Sequence, residues 1–450
     1  MSVLDQIVKA YDVRGTVPDQ LNAEVAHALG VAFARYAGAS EILIGRDMRP
    51  TGPELVAAFT EGVLSQGVDV VDIGLCSSDM VYFAAGHLDR PGVIFTASHN
   101  PAEYNGVKFC LEGAKPVGVD GLGEIKAVAS TVLDGHGPAP AQRAGTRREQ
   151  DLLPAFVDHV LSFVDVGSIR PLRVVADTAN GMGGLVVPAV LERIPNIELE
   201  VMYGELDGTF PNHPADPLQP ANQHDLRHRV QSGGFDLGLA FDGDADRVFV
   251  VDELGQGLSG STTTAILAAA MLRAEPGATI LHNLICSRAV PEVIREHGGV
   301  PVRTKVGHSF IKQKMAETGA VFGGEHSAHY YFARNYRADS GLIATVLIIS
   351  ELSRAGQELS IVRKPFERYC QSGEINTTVA DVRAVLTAVS EAMSGFPQDW
   401  LDGLTVDRGS WWFNLRPSNT EPLLRLNLEA ATRDDCDAHV AEVLALVTSV

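Results

Sequence analysis

Three stretches of the chain repeat one local order, in which an apolar strand is followed by a polar or glycine-rich loop and then by a helical pattern. The strands are predicted at residues 41–46, 172–177 and 278–283. Strands that alternate with helices favour α/β units with a largely parallel sheet. Because these strands lie more than 100 residues apart, we expect each one to open its own domain rather than to belong to a short solenoid repeat.

The length and the junctions predict four domains. A chain of 450 residues has room for about three or four domains at roughly 100–200 residues each. Residues 135–148 are rich in Gly, Pro and Ala and indicate a linker. Further junctions are predicted at residues 252–260 and 360–365. The predicted domains are residues 1–145, 146–254, 255–366 and 367–450, and the last ends in a helical pattern over residues 434–447.

Charge and composition exclude several partners. The chain has 56 acidic and 36 basic residues, a formal net charge of −20, so neither a nucleic acid nor an acidic membrane surface is an expected partner. No apolar run approaches the roughly 20 residues that span a bilayer. The N-terminus lacks a signal-peptide pattern, so we expect a cytoplasmic protein. Five scattered cysteines without a CxxC pair predict neither a disulfide framework nor a zinc site.

An acidic turn, Asp242-Gly-Asp244-Ala-Asp246-Arg247, lies between strands predicted at residues 236–241 and 248–252. Three carboxylates at alternate positions can direct oxygens to one point, the ligand set that Mg²⁺ prefers. Their mutual repulsion is costly without a cation. An ordinary acidic hairpin turn is the alternative. An EF-hand loop is excluded, because Arg247 stands where that loop needs Gly and the flanking segments are strands.

A second polar segment, Thr96-Ala-Ser98-His99-Asn100-Pro101, follows a strand predicted at residues 92–95. Ser98, beside a histidine and within reach of Lys108, can be a nucleophile or a phosphate carrier. The structural alternative makes Asn100 a helix N-cap and Pro101 the first helical residue.

Two later loops offer groups that suit a phosphorylated sugar, although each is equally compatible with a hydrogen-bonded turn. Guanidinium, hydroxyl and amide donors that suit a phosphate dianion occur at Arg416, Ser418, Asn419, Thr420 and Arg425. Groups that can hydrogen-bond sugar hydroxyls occur in the loop that holds Glu325, Ser327 and His329.

Two isolated residues allow both a functional and a structural interpretation. Arg14 can reach a phosphate or form an exposed ion pair, and His308 can line a site or be structural.

Taken in order along the chain, these segments resemble the α-D-phosphohexomutase family, and most closely its bacterial phosphomannomutase/phosphoglucomutase branch. The resemblance runs from Tyr11–Gly15 to Arg416–Thr420 and so covers essentially the whole chain. It implies three mixed α/β domains and a smaller α+β C-terminal domain around a central cleft.

The resemblance also implies roles for residues. Ser98 would be the phosphoserine, and Asp242, Asp244 and Asp246 would hold Mg²⁺ together with a phosphate oxygen on Ser98. Arg247 would position the reacting phosphoryl group. Lys108 and His329 are similar to the family's candidate proton-transfer groups, although Lys108 fits as a base only if its surroundings lower its pKa. The implied substrate-binding residues are Arg14, His308, Glu325, Ser327, His329, Arg416, Ser418, Asn419, Thr420 and Arg425.

Two positions depart from the family pattern. Ala328 replaces a usual Gly in the sugar loop, which matters if that position needs a positive φ. Ser261 stands where an Asp is usual.

The implied activity is the interconversion of hexose 1-phosphate and hexose 6-phosphate, with mannose or glucose as the sugar, through a hexose 1,6-bisphosphate. It would supply nucleotide-sugar and polysaccharide synthesis, in a monomer or homodimer. Phosphoglucosamine mutase is the near alternative, but Asn419 and Ala245 stand where that enzyme usually has Gly. A metal-dependent sugar-phosphate phosphatase and a non-catalytic binding protein are the alternatives from other classes.

Overall fold

The computed structural model of the chain describes residues 2–417 and 423–449, without the side chain of His308. The strands form four sheets, and each sheet is built from one continuous part of the chain. These parts are units one to four in chain order. Within the described ranges, no helix is both long enough and apolar enough to cross a lipid bilayer.

Unit one has a six-stranded mixed sheet with the order β1-β5-β4-β2-β3-β6. Its elements are α1 (Val3–Ile7), β1 (Val13–Thr16), α2 (Ala23–Ala37), β2 (Glu41–Arg46), α3 (Gly52–Ser65), β3 (Asp69–Leu75), α4 (Ser78–His87), β4 (Gly92–Phe95), β5 (Tyr104–Cys110), α5 (Gly118–Leu133) and β6 (Arg147–Glu149). Strands β2, β3, β4 and β6 run parallel, whereas β5 and β1 join antiparallel at one edge. The central strand β4 is buried along its whole length, as a strand covered on both faces must be.

Unit two has a four-stranded sheet with the order β10-β9-β7-β8. Its elements are α6 (Leu153–Leu161), β7 (Leu172–Asp177), α7 (Gly183–Leu191), β8 (Ile197–Met202), α8 (His224–Gly233), β9 (Leu237–Phe241) and β10 (Val248–Asp252). The hairpin of β9 and β10 is antiparallel, and its turn holds the acidic segment.

Unit three repeats the α/β plan with the strand order β12-β11-β13-β14. Its elements are α9 (Gly260–Ala274), β11 (Thr279–Asn283), α10 (Ala289–Glu296), β12 (Val300–Thr304), α11 (His308–Thr318), β13 (Phe322–Gly324), β14 (Tyr330–Phe332), α12 (Gly341–Ala355) and α13 (Leu359–Val362). The antiparallel pair β13 and β14 flanks the predicted sugar loop.

Unit four has an entirely antiparallel sheet with the order β15-β19-β18-β17-β16. Its elements are β15 (Cys370–Thr378), α14 (Val382–Ala392), β16 (Gln398–Asp399), β17 (Leu404–Asp407), β18 (Trp412–Pro417), β19 (Leu423–Ala430) and α15 (Arg433–Thr448). Short 3-10 turns occur at Glu112–Ala114, Val166–Ser168, Pro220–Gln223, Ala333–Asn335 and Lys364–Phe366.

The apolar cores distinguish unit four from the rest. The largest core runs through units two and three and includes side chains of unit one such as Leu43 and Tyr82. Unit one has a further core of its own. The core of unit four, around Leu404 and Phe413, is separate from both, so unit four is joined to the rest mainly by polar contacts.

Most predicted elements are confirmed. Strands β2, β4 and β7 have the predicted ends, and β11 begins one residue later than predicted. The four-part α/β architecture is confirmed, although each of the first three sheets carries an antiparallel edge.

Two local predictions differ from the structure, the first only at its end. The predicted linker at residues 135–148 has no helix or strand from residue 136 to residue 146, but its last two residues belong to β6, which pairs with β3 and carries the sheet of unit one beyond residue 145. No helix begins at Pro101 in the described chain, because the segment turns directly into β5; Asn100 is therefore not an N-cap.

Candidate active site

The acidic turn of unit two is buried at the centre of the molecule. Asp242, Asp244, Asp246 and Arg247 are each at most 3% exposed. One oxygen from each of the three carboxylates lies within 4.8 Å of the others. The hairpin turns sharply because Ala245 adopts a left-handed backbone conformation, with φ of 58°. The segment is thus a hairpin turn, as the structural alternative has it, but a buried one with three converging carboxylates.

The charges in the turn are arranged to hold a cation. Burial, followed by repulsion from Asp244 and Asp246, raises the pKa of Asp242 to about 7, although Arg247 opposes the shift. Burial also disfavours the charge on Asp244, but Lys108 outweighs it and holds the pKa of that carboxyl well below its usual range. The buried Oδ1 atoms of Asp244 and Asp246 accept no hydrogen bond within the described chain. Converging carboxylates with unused oxygens fit a hard divalent cation.

Ser98 meets this turn from unit one. It follows β4 at the carboxyl end of the strand with φ of 50°, and its Oγ donates to Asp242 Oδ2 at 2.8 Å. Arg247 donates from Nη2 to Ser98 Oγ at 3.1 Å and from Nε to Asp242 Oδ2 at 2.8 Å. Residues 144 positions apart thus place a hydroxyl, a carboxylate and a guanidinium in one cluster.

Lys108 is charged in this arrangement. Its Nζ lies 2.6 Å from Asp244 Oδ2 and 2.8 Å from Asp246 Oδ2, and it donates to Ser78 Oγ at 3.2 Å. Burial works against the ammonium, but the two carboxylates prevail and raise its pKa well above the ordinary value. Lys108 fits the role of a base only if its surroundings lower its pKa, and here they raise it.

Arg14, a predicted phosphate contact, and His99, which was not predicted as one, lie near Ser98 as well. Arg14 of β1 donates from Nη1 to Asn100 Oδ1 at 2.6 Å and pairs with Asp12 at 2.5 Å. His99 Nδ1 lies 2.5 Å from Arg247 Nη2, and burial followed by the charge of Arg247 holds the pKa of His99 well below its usual value.

The predicted sugar loop lies between β13 and β14. Glu325 Oε1 accepts from the hydroxyl of Tyr331 at 2.6 Å, and its Oε2 accepts from Asn283 Nδ2 at 3.1 Å and from the backbone of Gly307 at 3.2 Å. Each carboxylate oxygen has two lone pairs, so Glu325 retains capacity for a further donor. Ser327 is half-buried in the same loop.

His329, at the end of that loop, faces the acidic turn. Its Nδ1 lies 2.9 Å from Asp339 Oδ2 and 3.8 Å from Asp246 Oδ1. Burial disfavours the imidazolium, but Asp246 and Asp339 together raise the pKa of His329. Because Nδ1 is engaged by Asp339, Nε2 is the nitrogen left to face a substrate.

The two departures from the family pattern are accommodated. Ala328 has φ of 65°, so the position does take the left-handed conformation that favours glycine. Ser261 Oγ accepts from the backbone of Ser287 at 3.0 Å and lies 3.1 Å from His326 Nδ1. A serine therefore fills this position with hydrogen bonds inside unit three.

The predicted phosphate-binding arginines lie opposite each other in unit four. Arg416 of β18 and Arg425 of β19 are cross-strand partners, and both reach Glu374, at 3.1 and 3.2 Å. Ser418, Asn419 and Thr420, and the side chain of His308, lie outside the described residues. Glu374 was not a predicted residue, and only the sheet pairing reveals it.

Models of one protein family match most of the chain. Models for domains I, II and III and the C-terminal domain of phosphoglucomutase/phosphomannomutase match residues 5–133, 154–255, 259–369 and 374–446. The chain belongs to the phosphoglucomutase/phosphomannomutase family.

Relatives of this family member are similar over nearly their whole length. A protein named phosphohexose mutases, from Xanthomonas campestris pv. campestris, is 40% identical over 436 residues, or 95% of each chain. A phosphomannomutase of Escherichia coli K12 is 37% identical over 449 residues, or 98% of each chain. A solved family structure from Burkholderia thailandensis has a TM-score of 0.89 at 30% identity and covers 99% of this chain and 97% of that one.

Two supporting residues of this phosphohexomutase were missed from the sequence. Asp339 orients His329 and pairs with Lys312 at 3.1 Å. Arg49 is fully buried beneath the Ser98 loop. The position of each gives a signal in hindsight: Asp339 comes just before the capped helix α12, and Arg49 follows the carboxyl end of β2.

Proposed function

We propose that this protein interconverts hexose 1-phosphate and hexose 6-phosphate through a phosphorylated Ser98. The observation that carries the proposal is the 2.8 Å contact between Ser98 Oγ and Asp242 Oδ2, with Arg247 donating to both atoms. A seryl phosphate at this position would lie beside three carboxylates able to hold a cation and a guanidinium able to bind its oxygens.

Asp242, Asp244 and Asp246 are the proposed Mg²⁺ ligands, together with a phosphate oxygen on Ser98. When bound, Mg²⁺ would offset negative charge on the transferring phosphoryl group. Arg247 adds fixed donors to the same group at no cost of reorganisation. Lys108, held between Asp244 and Asp246, supplies a further positive charge.

The phosphoryl group would pass from Ser98 Oγ to the free hydroxyl of the substrate. The bond between phosphorus and Ser98 Oγ breaks, a bond to the sugar oxygen forms, and the hydroxyl proton needs an acceptor. The pKa values of both His329 and Lys108 are raised. His329 is the better candidate, because an imidazole titrates nearer to neutral pH than an ammonium. The hexose 1,6-bisphosphate then turns in the cleft and returns its other phosphoryl group to Ser98.

The remaining contacts are proposed by position. Arg416 and Arg425, aligned by Glu374, would bind the phosphate that does not react, together with Ser418, Asn419 and Thr420. Glu325, Ser327 and His329 would hold sugar hydroxyls, and Arg14 and His308 would line the entrance. A cytoplasmic location and a monomeric or homodimeric state remain predictions.

The sugar is the open part of the proposal. The relative from Escherichia coli is named phosphomannomutase. Mannose and glucose phosphates, however, share the O1 and O6 geometry that the reaction uses. Ala245 and Asn419 favour these sugars over glucosamine. Initial rates with mannose 1-phosphate and glucose 1-phosphate, measured side by side, would rank the two.

The test of the phosphoserine uses glucose 1,6-bisphosphate labelled with ³²P in both phosphates. We expect the wild type and a Ser232→Ala control on exposed helix α8 to take up one label on Ser98 and to catalyse isomerisation. Ser98→Ala should stay unlabelled and lose kcat by on the order of 10⁴-fold or more, the scale for loss of a covalent nucleophile. Full turnover in Ser98→Ala would reject the route, and release of free phosphate at the rate of turnover would identify a phosphatase.

A further inference from the structure

A groove of about 500 Å³ lies between residues 114–120 of unit one and the helix α11 of unit three. Ser309, Lys312, Gln313 and Ala316 line it, and this spacing of three, four and seven residues places them on one face of α11. Tyr336 and Arg337 close another side. The volume of the groove falls within the roughly 300–1,000 Å³ of small-ligand sites.

The groove concentrates positive charge in an acidic protein. Lys115, Lys312 and Arg337 line it, and Asp120 is the carboxylate among its lining residues. Lys312 is buried, pairs with Asp339 and lies 3.5 Å from the ring centroid of Tyr82. Lys115 and Arg337, by contrast, pair with no carboxylate among the described residues, although the chain carries a net charge of −20. Two unneutralised cations that face one cavity favour an anion.

A hydroxyl on the groove wall suits the same ligand class. Ser309 is 7% exposed and lines the groove. A serine hydroxyl can donate to a ligand oxygen as well as accept from a donor, so Ser309 adds a neutral hydrogen-bonding group to the two cations.

Two helix starts border the cavity as well. The first turn of α5, at Gly118, Val119 and Asp120, and the first turn of α11, at Ser309 and Phe310, both line the groove. Neither helix has a side-chain cap at its N-terminus. The partial positive charge of an uncapped helix start adds to the attraction for an anion.

The backbone that presents Arg337 is itself unusual. Tyr336 and Arg337 both have positive φ, 54° and 62°, a conformation that is costly for residues other than glycine. The turn is held by packing: a side chain at Gly86 of α4 would come within 2.2 Å of the Tyr336 ring. The fold thus fixes this turn, and the turn directs Arg337 to the groove.

We propose that this groove is a second anion site, which binds a phosphate group between Lys115 and Arg337. The ligand class is a free phosphate or a small phosphate monoester, since both present the same dianion to the two cations. The proposal does not depend on the reaction assigned to the active site. Because the groove joins unit one to unit three, a ligand bound there contacts both units that supply Ser98 and the sugar loop.

The test compares Lys115→Gln/Arg337→Gln with the charge-matched control Lys314→Gln/Arg383→Gln. Arg383 is exposed and Lys314 is half-buried, and both lie outside the groove. Calorimetric titration at low ionic strength uses inorganic phosphate in one arm and glucose 6-phosphate in the other. We expect two anion sites in the wild type and the control. In the groove variant one of the two sites should weaken by about tenfold or more, as the loss of charge-assisted contacts predicts.

Crystals soaked in tungstate locate the second site directly, by an anomalous peak between Lys115 and Arg337 that the groove variant lacks. Tighter binding of glucose 6-phosphate would identify a sugar phosphate as the ligand, and tighter binding of inorganic phosphate would identify the free ion. The proposal would be overturned if the groove variant and the control had the same number of anion sites and the same affinities. Both proteins must be folded and have equal melting temperatures for this comparison. Tungstate found at the active site but not in the groove would also overturn the proposal.

Discussion

Arg49 organises the loop that carries Ser98. Its guanidinium is fully buried and donates to the backbone carbonyls of Ser98, Asn100, Pro101 and Tyr104 at 2.7–3.0 Å. The carbonyl of Pro101 also accepts from the backbone N–H of Tyr104 at 3.1 Å, and the guanidinium gives each of the four carbonyls a side-chain donor. A buried cation therefore holds the loop in the conformation in which Ser98 has a positive φ.

Replacement of Arg49 by Lys should disturb that loop and leave the fold in place. A lysine has a single nitrogen and cannot reach four carbonyls, so we expect kcat to fall by about 10²-fold, the scale of a misplaced reacting group, with KM little changed. Arg46→Lys, at the end of the preceding strand β2, is the matched control, because Arg46 donates to one carbonyl at 3.3 Å. Steady-state kinetics and amide exchange of residues 98–104 provide the measurement, and an unchanged kcat would contradict the role.

Asp244 is the residue whose loss should affect metal binding most clearly. Asp244→Asn removes one of three converging carboxylates and one of the two partners of Lys108. We expect Mn²⁺ binding, followed by electron paramagnetic resonance, to weaken by at least about tenfold, since even outer partners of a metal ligand are worth that much. Asp158→Asn, exposed on α6, is the control; an identical titration of both variants would count against the acidic site.

At the level of elements, the first turn of α4 connects three units. The backbone and hydroxyl of Ser78 bind Asp244 of unit two, at 3.0 and 2.5 Å. Asp79 accepts from Ser340, the N-cap of α12 in unit three, at 2.6 Å, and also from Ser77. One helix start thus connects the acidic turn of unit two and the start of α12 in unit three with unit one.

Asp79 should make the stability of this junction depend on pH. Burial raises its pKa to about 7, against about 3.9 in an unfolded chain, so between these values the folded protein binds the extra proton. Stability should therefore fall as pH rises from about 4 to 7, by at most about 4 kcal/mol for this group. Asp79→Asn stays neutral, and we expect it to equal the wild type at low pH and to exceed it at pH of about 8.

Urea unfolding across that pH range measures the effect, with Asp134→Asn at the exposed end of α5 as the control. Parallel pH profiles for the wild type and Asp79→Asn would show that Asp79 is ionised at no cost in the folded protein.

At the level of the whole molecule, unit four has its own core and is attached to unit three by polar contacts. Arg288 donates to the carbonyl of Gly409 and to Asp407, both at 2.6 Å, and Arg303 pairs with Asp399. Such an interface permits relative motion. The proposed bisphosphate intermediate would have to turn around within the cleft, so we expect unit four to open and to close around a bound sugar phosphate.

Arg288→Ala should shift the molecule towards the open state. We expect a larger radius of gyration without ligand and a KM for hexose phosphate raised by roughly two- to fivefold, because one partly exposed cluster of polar contacts is worth about 1 kcal/mol or less. Arg354→Ala, which breaks an exposed ion pair within α12, controls for the loss of charge. Small-angle scattering of both variants, with and without glucose 6-phosphate, measures the radius of gyration. Equal radii in these four samples would contradict the expected motion of unit four.

The sequence by itself determined what depends on short stretches of chain. Strands β2, β4 and β7 could be placed because each is a buried apolar run bounded by turn residues, and the acidic turn was visible because its three carboxylates are neighbours in the chain. The tertiary structure alone decided the charge state of Lys108, the orientation of His329 by Asp339 and the satisfaction of four carbonyls by Arg49. Each of these properties depends on desolvation and on partners far away in the chain, and neither can be predicted from a local pattern of residues.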